Sequence, residues 1–153
     1  MRLFHILVLS AFLPAASTAQ EEAAEAPATT GETAVFAPIP AAGVTLEQFQ
    51  WVKRPLIVFA DTPNDPNFQR QMDRINADLG PLEERQVVVI FDADPAAKTA
   101  IRQRLRPRGF SLVLMDTDGE VKRRVPSPWN VREITHAIDR FPQRREEMRT
   151  PRP

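Results

Sequence analysis

Two unbroken apolar runs stand out in the middle of the chain, Leu56-Ile-Val-Phe-Ala60 and Val87-Val-Val-Ile-Phe91. A strand covered on both faces needs no polar alternation, so these runs predict neighbouring strands of a parallel sheet with helices above and below. Between them, Asp65-Pro66 offers a cap followed by proline at the first helical position. Phe68, Met72, Ile75 and Leu79 follow at helical spacing, and Gly80-Pro81 stops the pattern. The segment is a βαβ unit.

Asp94-Pro95 repeats the start signal, and Ala97, Ala100, Ile101 and Leu105 give the next helix a modest apolar face. Pro107 ends it by disfavouring helical geometry at Arg106. A strand is expected from Phe110 to Met115, then a tight Asp116-Thr-Asp-Gly119 turn and a returning strand. Alternation in that strand puts Val121 and Val125 on one side and Lys122 and Arg124 on the other, which suits an exposed edge. The last helix has Asn130 as cap, Glu133 three residues on, and Trp129 placed to staple onto Ile134. Val131, Ile134, Ala137, Ile138 and Phe141 make its core face, and Pro142 closes it. Upstream, Thr45 and Gln48 fit a capping box for a short helix through Phe49, with Trp51 before the first strand.

The order β-α-β-α-β-β-α, after a short helix, is the minimal thioredoxin-like α/β topology. A flavodoxin-like sheet would need a helix between the last two strands, and the Asp-Gly turn leaves no room for one.

The N-terminal region has a different character. Met1-Arg2 precedes eleven mostly apolar residues, Leu3 to Leu13, and Ser17-Thr18-Ala19 supplies small residues at a cleavage site. That is the pattern of a secretory signal over residues 1–19, because spanning a bilayer takes roughly 20 residues. Residues 20–43 are Ala, Glu, Pro and Thr with few large apolar side chains, as expected of a disordered acidic linker. The folded domain is expected over 44–143 and a basic tail over 144–153. An exported protein is the expectation, periplasmic where the host has an outer membrane and secreted otherwise, with no membrane span after cleavage.

The charge distribution adds a hint of a partner. Beyond the signal, the net charge is −5 over residues 20–50, −3 over 51–97 and +7 over 98–153. An acidic front and a basic rear suit either an anionic partner or merely solvated surfaces. The chain has no cysteine. It therefore has no disulfide framework, and its stability rests on a packed core.

Several stretches together resemble a known family. Trp51-Val-Lys-Arg-Pro-Leu-Ile-Val-Phe-Ala60, Glu84-Arg-Gln-Val-Val-Val-Ile90, the hairpin from Leu114 through Asp118-Gly119-Glu-Val-Lys122, and Ile138-Asp-Arg-Phe-Pro-Gln-Arg-Arg-Glu-Glu-Met148 occur in order. They resemble the thioredoxin-like domain of unknown function (P-DUDES type) that equarin and the sushi-repeat (SRPX-type) extracellular proteins share with bacterial exported proteins. The resemblance implies the fold and an extracytoplasmic setting. It brings no catalytic residues.

In redox-active thioredoxin folds the dithiol sits where the first strand meets its helix, here Asp61-Thr-Pro-Asn-Asp-Pro66. Without a thiol there is neither a thiolate nucleophile nor disulfide exchange. Arg108-Gly-Phe-Ser111, before the third strand, also lacks the proline that such enzymes set against the substrate backbone. Asp61, Thr62 and Asp65 could serve an enzyme of a non-thiol class, although Asp65 is equally a helix cap. Asp116 and Asp118 lack the spacing of a calcium loop, so no metal site is expected. His136 stands alone between Arg132 and Arg140, a poor ligand set.

Two basic stripes remain. Lys98, Arg102 and Arg106 line up on one predicted helix, and Arg132, His136 and Arg140 on the other. No aromatics interleave with them, which argues against nucleic acid. The expectation is a non-catalytic binding module without cofactor. It would engage a protein or an anionic envelope component through Arg102, Arg106, Arg132 and Arg140. The alternatives are the non-thiol enzyme and a structural or stress-related envelope protein.

Overall fold

Leu56 to Phe59, buried as their apolar run requires, lie in the middle strand of a five-stranded sheet. A computed structural model describes residues 36–150. The signal expected over 1–19 and the linker as far as residue 35 lie outside the described residues. The strands are β1 (Ile39–Pro40), β2 (Arg54–Phe59), β3 (Val87–Asp92), β4 (Ser111–Met115) and β5 (Val121–Val125), in spatial order β1-β3-β2-β4-β5. β3 runs parallel to β1 and β2, whereas β4 is antiparallel to both β2 and β5. The helices are α1 (Pro66–Ala77), α2 (Gly80–Glu83), α3 (Ala100–Leu105), α4 (Val131–Ile138) and α5 (Pro142–Arg149). This is the expected thioredoxin-like α/β fold.

Two apolar layers sandwich the sheet. One joins Leu56, Val58, Leu112 and Leu114 to Phe68 and Ile75 of α1 and to Val131, Ile134 and Ile138 of α4. The other joins Ile57, Phe59, Val113 and Met115 to Leu46 and to Ile101 and Leu105 of α3. At roughly 1.5–3 kcal/mol per fully buried aliphatic or aromatic side chain, these layers carry the stability that no disulfide supplies.

The caps of α1 and α4 form as their sequences predict. The Asp65 carboxylate accepts from the backbone N–H groups of Asn67 and Phe68 at 2.8 and 3.1 Å. Asn130 and Glu133 exchange reciprocal side-chain-to-backbone bonds of 2.8 Å. Thr45, by contrast, makes no side-chain cap, and Leu46–Phe49 is a single 3-10 turn.

Four local features differ from the sequence expectation. Asp94 caps only a 3-10 turn, Pro95–Ala97; Lys98 then turns left-handed (φ 44°), and Thr99 starts α3 afresh by accepting from Arg102 N–H at 3.1 Å. Val121 and Val125 do not share a face. Val121 pairs with Met115 and Val125 with Leu112. A bulge at Lys122 uses up one residue and turns Val121 out to solvent. β1 lies within the stretch expected to be linker, with Ile39 paired to Ile90 of β3. Finally, α5 extends past the expected domain end at 143 and returns to the sheet through Glu147.

Candidate functional site

The ends of three strands meet at one edge. Phe59 of β2 lies opposite Ser111 of β4 and beside Asp92 of β3. The loop from Asp61 to Asp65 leaves this edge and enters α1. Its side chains are engaged locally: Asp65 caps the helix, and Thr62 Oγ1 accepts from Asn64 N–H at 3.3 Å. Asp61 is exposed, its carboxylate 3.8 Å from Arg102. Thr62 and Asp65 thus form a turn and a cap, and Asp61 faces solvent beside Arg102.

The buried carboxylate of this edge is Asp92, which motif reading passed over because it closes an apolar strand. Arg102 donates to Asp92 Oδ1 through Nε (3.0 Å) and Nη2 (2.8 Å), and Nη2 also reaches the Ala60 and Asp92 carbonyls at 2.7 and 3.0 Å. Thr99 donates its hydroxyl to Asp92 Oδ2 at 2.6 Å. The guanidinium stacks over Phe59 at 5.4 Å from the ring centroid. Burial pushes the Asp92 carboxyl up, but the hydrogen bonds from Arg102, Thr99 and the Asp94 N–H outweigh it and leave the group below its ordinary value of 3.8. Arg102, expected on an exposed stripe, is instead a pin between α3 and two strand ends. The left-handed Lys98 breaks the stripe by resetting the helix phase at Thr99.

Beyond Arg102 the chain builds a basic pocket. Pro107 disfavours helical geometry at Arg106, which turns left-handed (φ 47°), and Gly109 (φ 58°) turns the chain again into β4. The loop between them and the adjacent end of β5 enclose a surface pocket of about 330 Å³ lined by Arg106, Arg108, Phe110, Ser111, Arg124 and Pro126. Arg124 is fixed there by donating Nη2 to the Leu105 carbonyl at 3.0 Å. No carboxylate lines the pocket. Among the described residues, Arg106 and Arg108 have no ion-pair partner, whereas neighbouring Arg104 is paired with Glu47. Arg106 was visible as a candidate in the sequence. Arg108, two residues on, is adjacent in sequence; Arg124 was not visible, because only the β4–β5 pairing brings it beside them.

Arg132 and His136 are exposed on α4, and Arg140, also exposed, lies in the turn just after it. α4 packs on one layer of the sheet and α3 on the other. The four expected arginines therefore do not make one surface. Among the described residues, no group of three or more His, Asp or Glu side chains is placed to hold a metal ion, and no helix is long and apolar enough to cross a membrane.

The opposite edge carries a second buried charge. Arg54, 1% exposed, donates Nε to Asp116 Oδ1 at 3.0 Å, Nη1 to the Arg85 carbonyl at 2.9 Å and Nη2 to Glu147 of α5. Arg85 forks onto both oxygens of Asp139 at 2.9 Å. That hydrogen-bonded pairing holds Asp139 below the usual carboxylate range against the effect of burial. Trp51 lies beside this edge, 66% exposed and left-handed (φ 64°), with its N–H donating to the Thr117 carbonyl at 2.7 Å.

Residues 45–147 match the family model described as Domain of unknown function (DUF4174). No curated protein matches the chain. Among solved structures, the fold is similar to that of a reduced 2-Cys peroxiredoxin from Plasmodium vivax. The identity is 18%, the match covers 67% of this chain and 85% of that one, and the TM-score is 0.54. It is also similar to reduced desulfothioredoxin from Desulfovibrio vulgaris Hildenborough, at 16% identity, with 68% and 96% of the two chains covered and a TM-score of 0.50. At these identities the likeness concerns the fold alone.

Proposed function

The chain belongs to the DUF4174 family, and we propose that this member is an exported, non-catalytic binding module that recognises an anionic partner. The single observation that carries the reading is the pocket at the α3–β4 loop, where Arg106, Arg108 and Arg124 line one cavity without a carboxylate among them. Concentrated positive charge facing solvent raises the local concentration of an anionic partner and speeds encounter. The absence of cysteine removes dithiol chemistry from the fold, and Thr62 and Asp65 are engaged as turn and cap while Asp61 stands exposed beside Arg102. Export follows from the signal-like Met1–Ala19 segment. The sequence resemblance to the equarin and sushi-repeat domain supports the same extracytoplasmic setting.

Crosslinking in the native envelope fraction tests this reading, comparing the wild-type protein with Arg106→Glu/Arg108→Glu and with Arg132→Glu/Arg140→Glu. The expected result is a partner retained by the wild type and the α4 variant and lost by the loop variant, with capture weakening as salt rises. A partner equally retained by all three proteins would remove the pocket from the function.

A further inference from the structure

The geometry points to a phosphoryl group as the anion held in the Arg106–Arg108–Arg124 pocket, an inference that rests on the binding-module reading and names its ligand chemistry. Three arginines and Ser111 line one cavity. A carboxylate is planar, with one negative charge and two oxygens, and a single arginine fork satisfies it. Three forks exceed that need. A phosphomonoester carries about 1.5 to 2 negative charges at neutral pH and three strong acceptor oxygens, so it can engage several arginines and a hydroxyl at once. Arg124 is positioned before any ligand arrives, because its bond to the Leu105 carbonyl fixes the guanidinium. Such preorganisation lowers the ordering cost of binding.

Size and wall chemistry narrow the class further. The cavity of about 330 Å³ falls at the small end of the ligand-pocket range of roughly 300–1,000 Å³, more than one phosphate ion fills. Phe110 and Pro126 give it an apolar side. The ligand is therefore an organic phosphomonoester, either a soluble metabolite or the headgroup of a phosphate-bearing lipid. The pocket opens at the sheet edge where β2 ends and β4 begins, so the site is independent of α4 and of the Arg54 end of the molecule.

Titration of the ¹⁵N-labelled full chain with glycerol 3-phosphate, at constant ionic strength set by sodium chloride, tests the proposal. Saturable shifts of the Gly109, Phe110 and Ser111 amide signals are expected, together with a rise of several degrees in the thermal midpoint. Arg108→Gln should abolish both effects, and Arg132→Gln/Arg140→Gln should leave them intact. A flotation arm with phosphatidic acid vesicles against phosphatidylcholine vesicles distinguishes the sources. Binding to phosphatidic acid identifies a headgroup ligand, and binding to glycerol 3-phosphate alone identifies a soluble one. No shift in the Gly109–Ser111 signals with glycerol 3-phosphate together with no flotation on phosphatidic acid vesicles, or equal loss in the Arg132/Arg140 control, overturns the phosphoryl assignment. In that case a partner still lost by Arg106→Glu/Arg108→Glu would leave the binding-module reading standing.

Discussion

Arg54 and Asp116 face each other across the β2–β4 pairing at 3.0 Å, both sealed from solvent. Removing one charge strands the other in the interior. Breaking such a pair from one side costs about 3–5 kcal/mol, whereas replacing both partners by apolar residues is often neutral. Arg54→Met should therefore destabilise by at least that amount, and Arg54→Met/Asp116→Leu should recover the part owed to the stranded Asp116, while the bonds to Glu147 and the Arg85 carbonyl stay lost. Urea unfolding midpoints decide the matter: a double variant as weak as the single would show that the pair does not act as a unit.

Arg102 touches a carboxylate, two carbonyls and an aromatic ring through one planar fork. A lysine keeps the charge but cannot span those partners. Arg102→Lys should cost about 2 kcal/mol or more, as expected when charged hydrogen bonds to buried acceptors are lost. The check is denaturant unfolding of Arg102→Lys beside Arg102→Ala. Wild-type stability in the lysine variant would reduce Arg102 to a simple counter-charge.

Acid should loosen the fold through its paired carboxylates. Asp92 and Asp139 lie below their ordinary value of 3.8. Burial raises Glu147, but Arg54 and Arg144 outweigh it and hold the group below 4.5. With the folded-state values depressed, the stabilisation is complete above the ordinary values and disappears as pH falls through the folded ones. Stability should thus be level from pH 7 down to about 5 and fall steeply below about 4. Asp139 and Glu147 are partly solvated, so their share is smaller than that of Asp92. Urea midpoints measured from pH 7 to 3 should show a shallower acid decline for Asp92→Asn than for wild type. An identical slope would take Asp92 out of the account.

Trp51 combines a left-handed backbone with an exposed ring. Bulky residues are strained there, by about 1–3 kcal/mol, and glycine is not. Trp51→Gly should leave stability unchanged or raise it slightly, in contrast to the 3–5 kcal/mol lost when a buried tryptophan is truncated. Thermal and urea unfolding test this directly, with Trp129 as the remaining fluorophore. A loss above about 2 kcal/mol would mean the ring makes contacts that its exposure does not suggest.

The fold was legible in the sequence wherever local chemistry and burial agree. The runs at 56–60 and 87–91 could only be central strands, and Asn130 with Glu133 formed the box their spacing requires. β1 escaped notice because two residues, one of them proline, cannot present a strand pattern. Gln71 is another case. It is fully buried on α1, exchanging bonds of 3.0 and 2.8 Å with the Trp129 backbone, and no apolar periodicity would select it. The candidate site was half legible. Arg106 belongs to the pocket, but Arg102 left the surface once the left-handed Lys98 had reset the helix. Arg108 and Arg124 join across sixteen residues of chain through a strand register that their local sequence does not encode.

Arg102 also decides where the molecule can be approached. In open α/β sheets, ligands settle in the crevice beyond the carboxyl ends of parallel strands. Here the carbonyls of Ala60 and Asp92, and the Asp92 carboxylate, are already engaged by a guanidinium brought in on α3 and by the Thr99 hydroxyl. The protein carries its own tenant in that berth. A visitor finds open space to either side, in a surface pocket of about 190 Å³ beside Ala41 and Asp92, where β1 and β3 end, and, four residues past Arg102, where Arg106 faces outward.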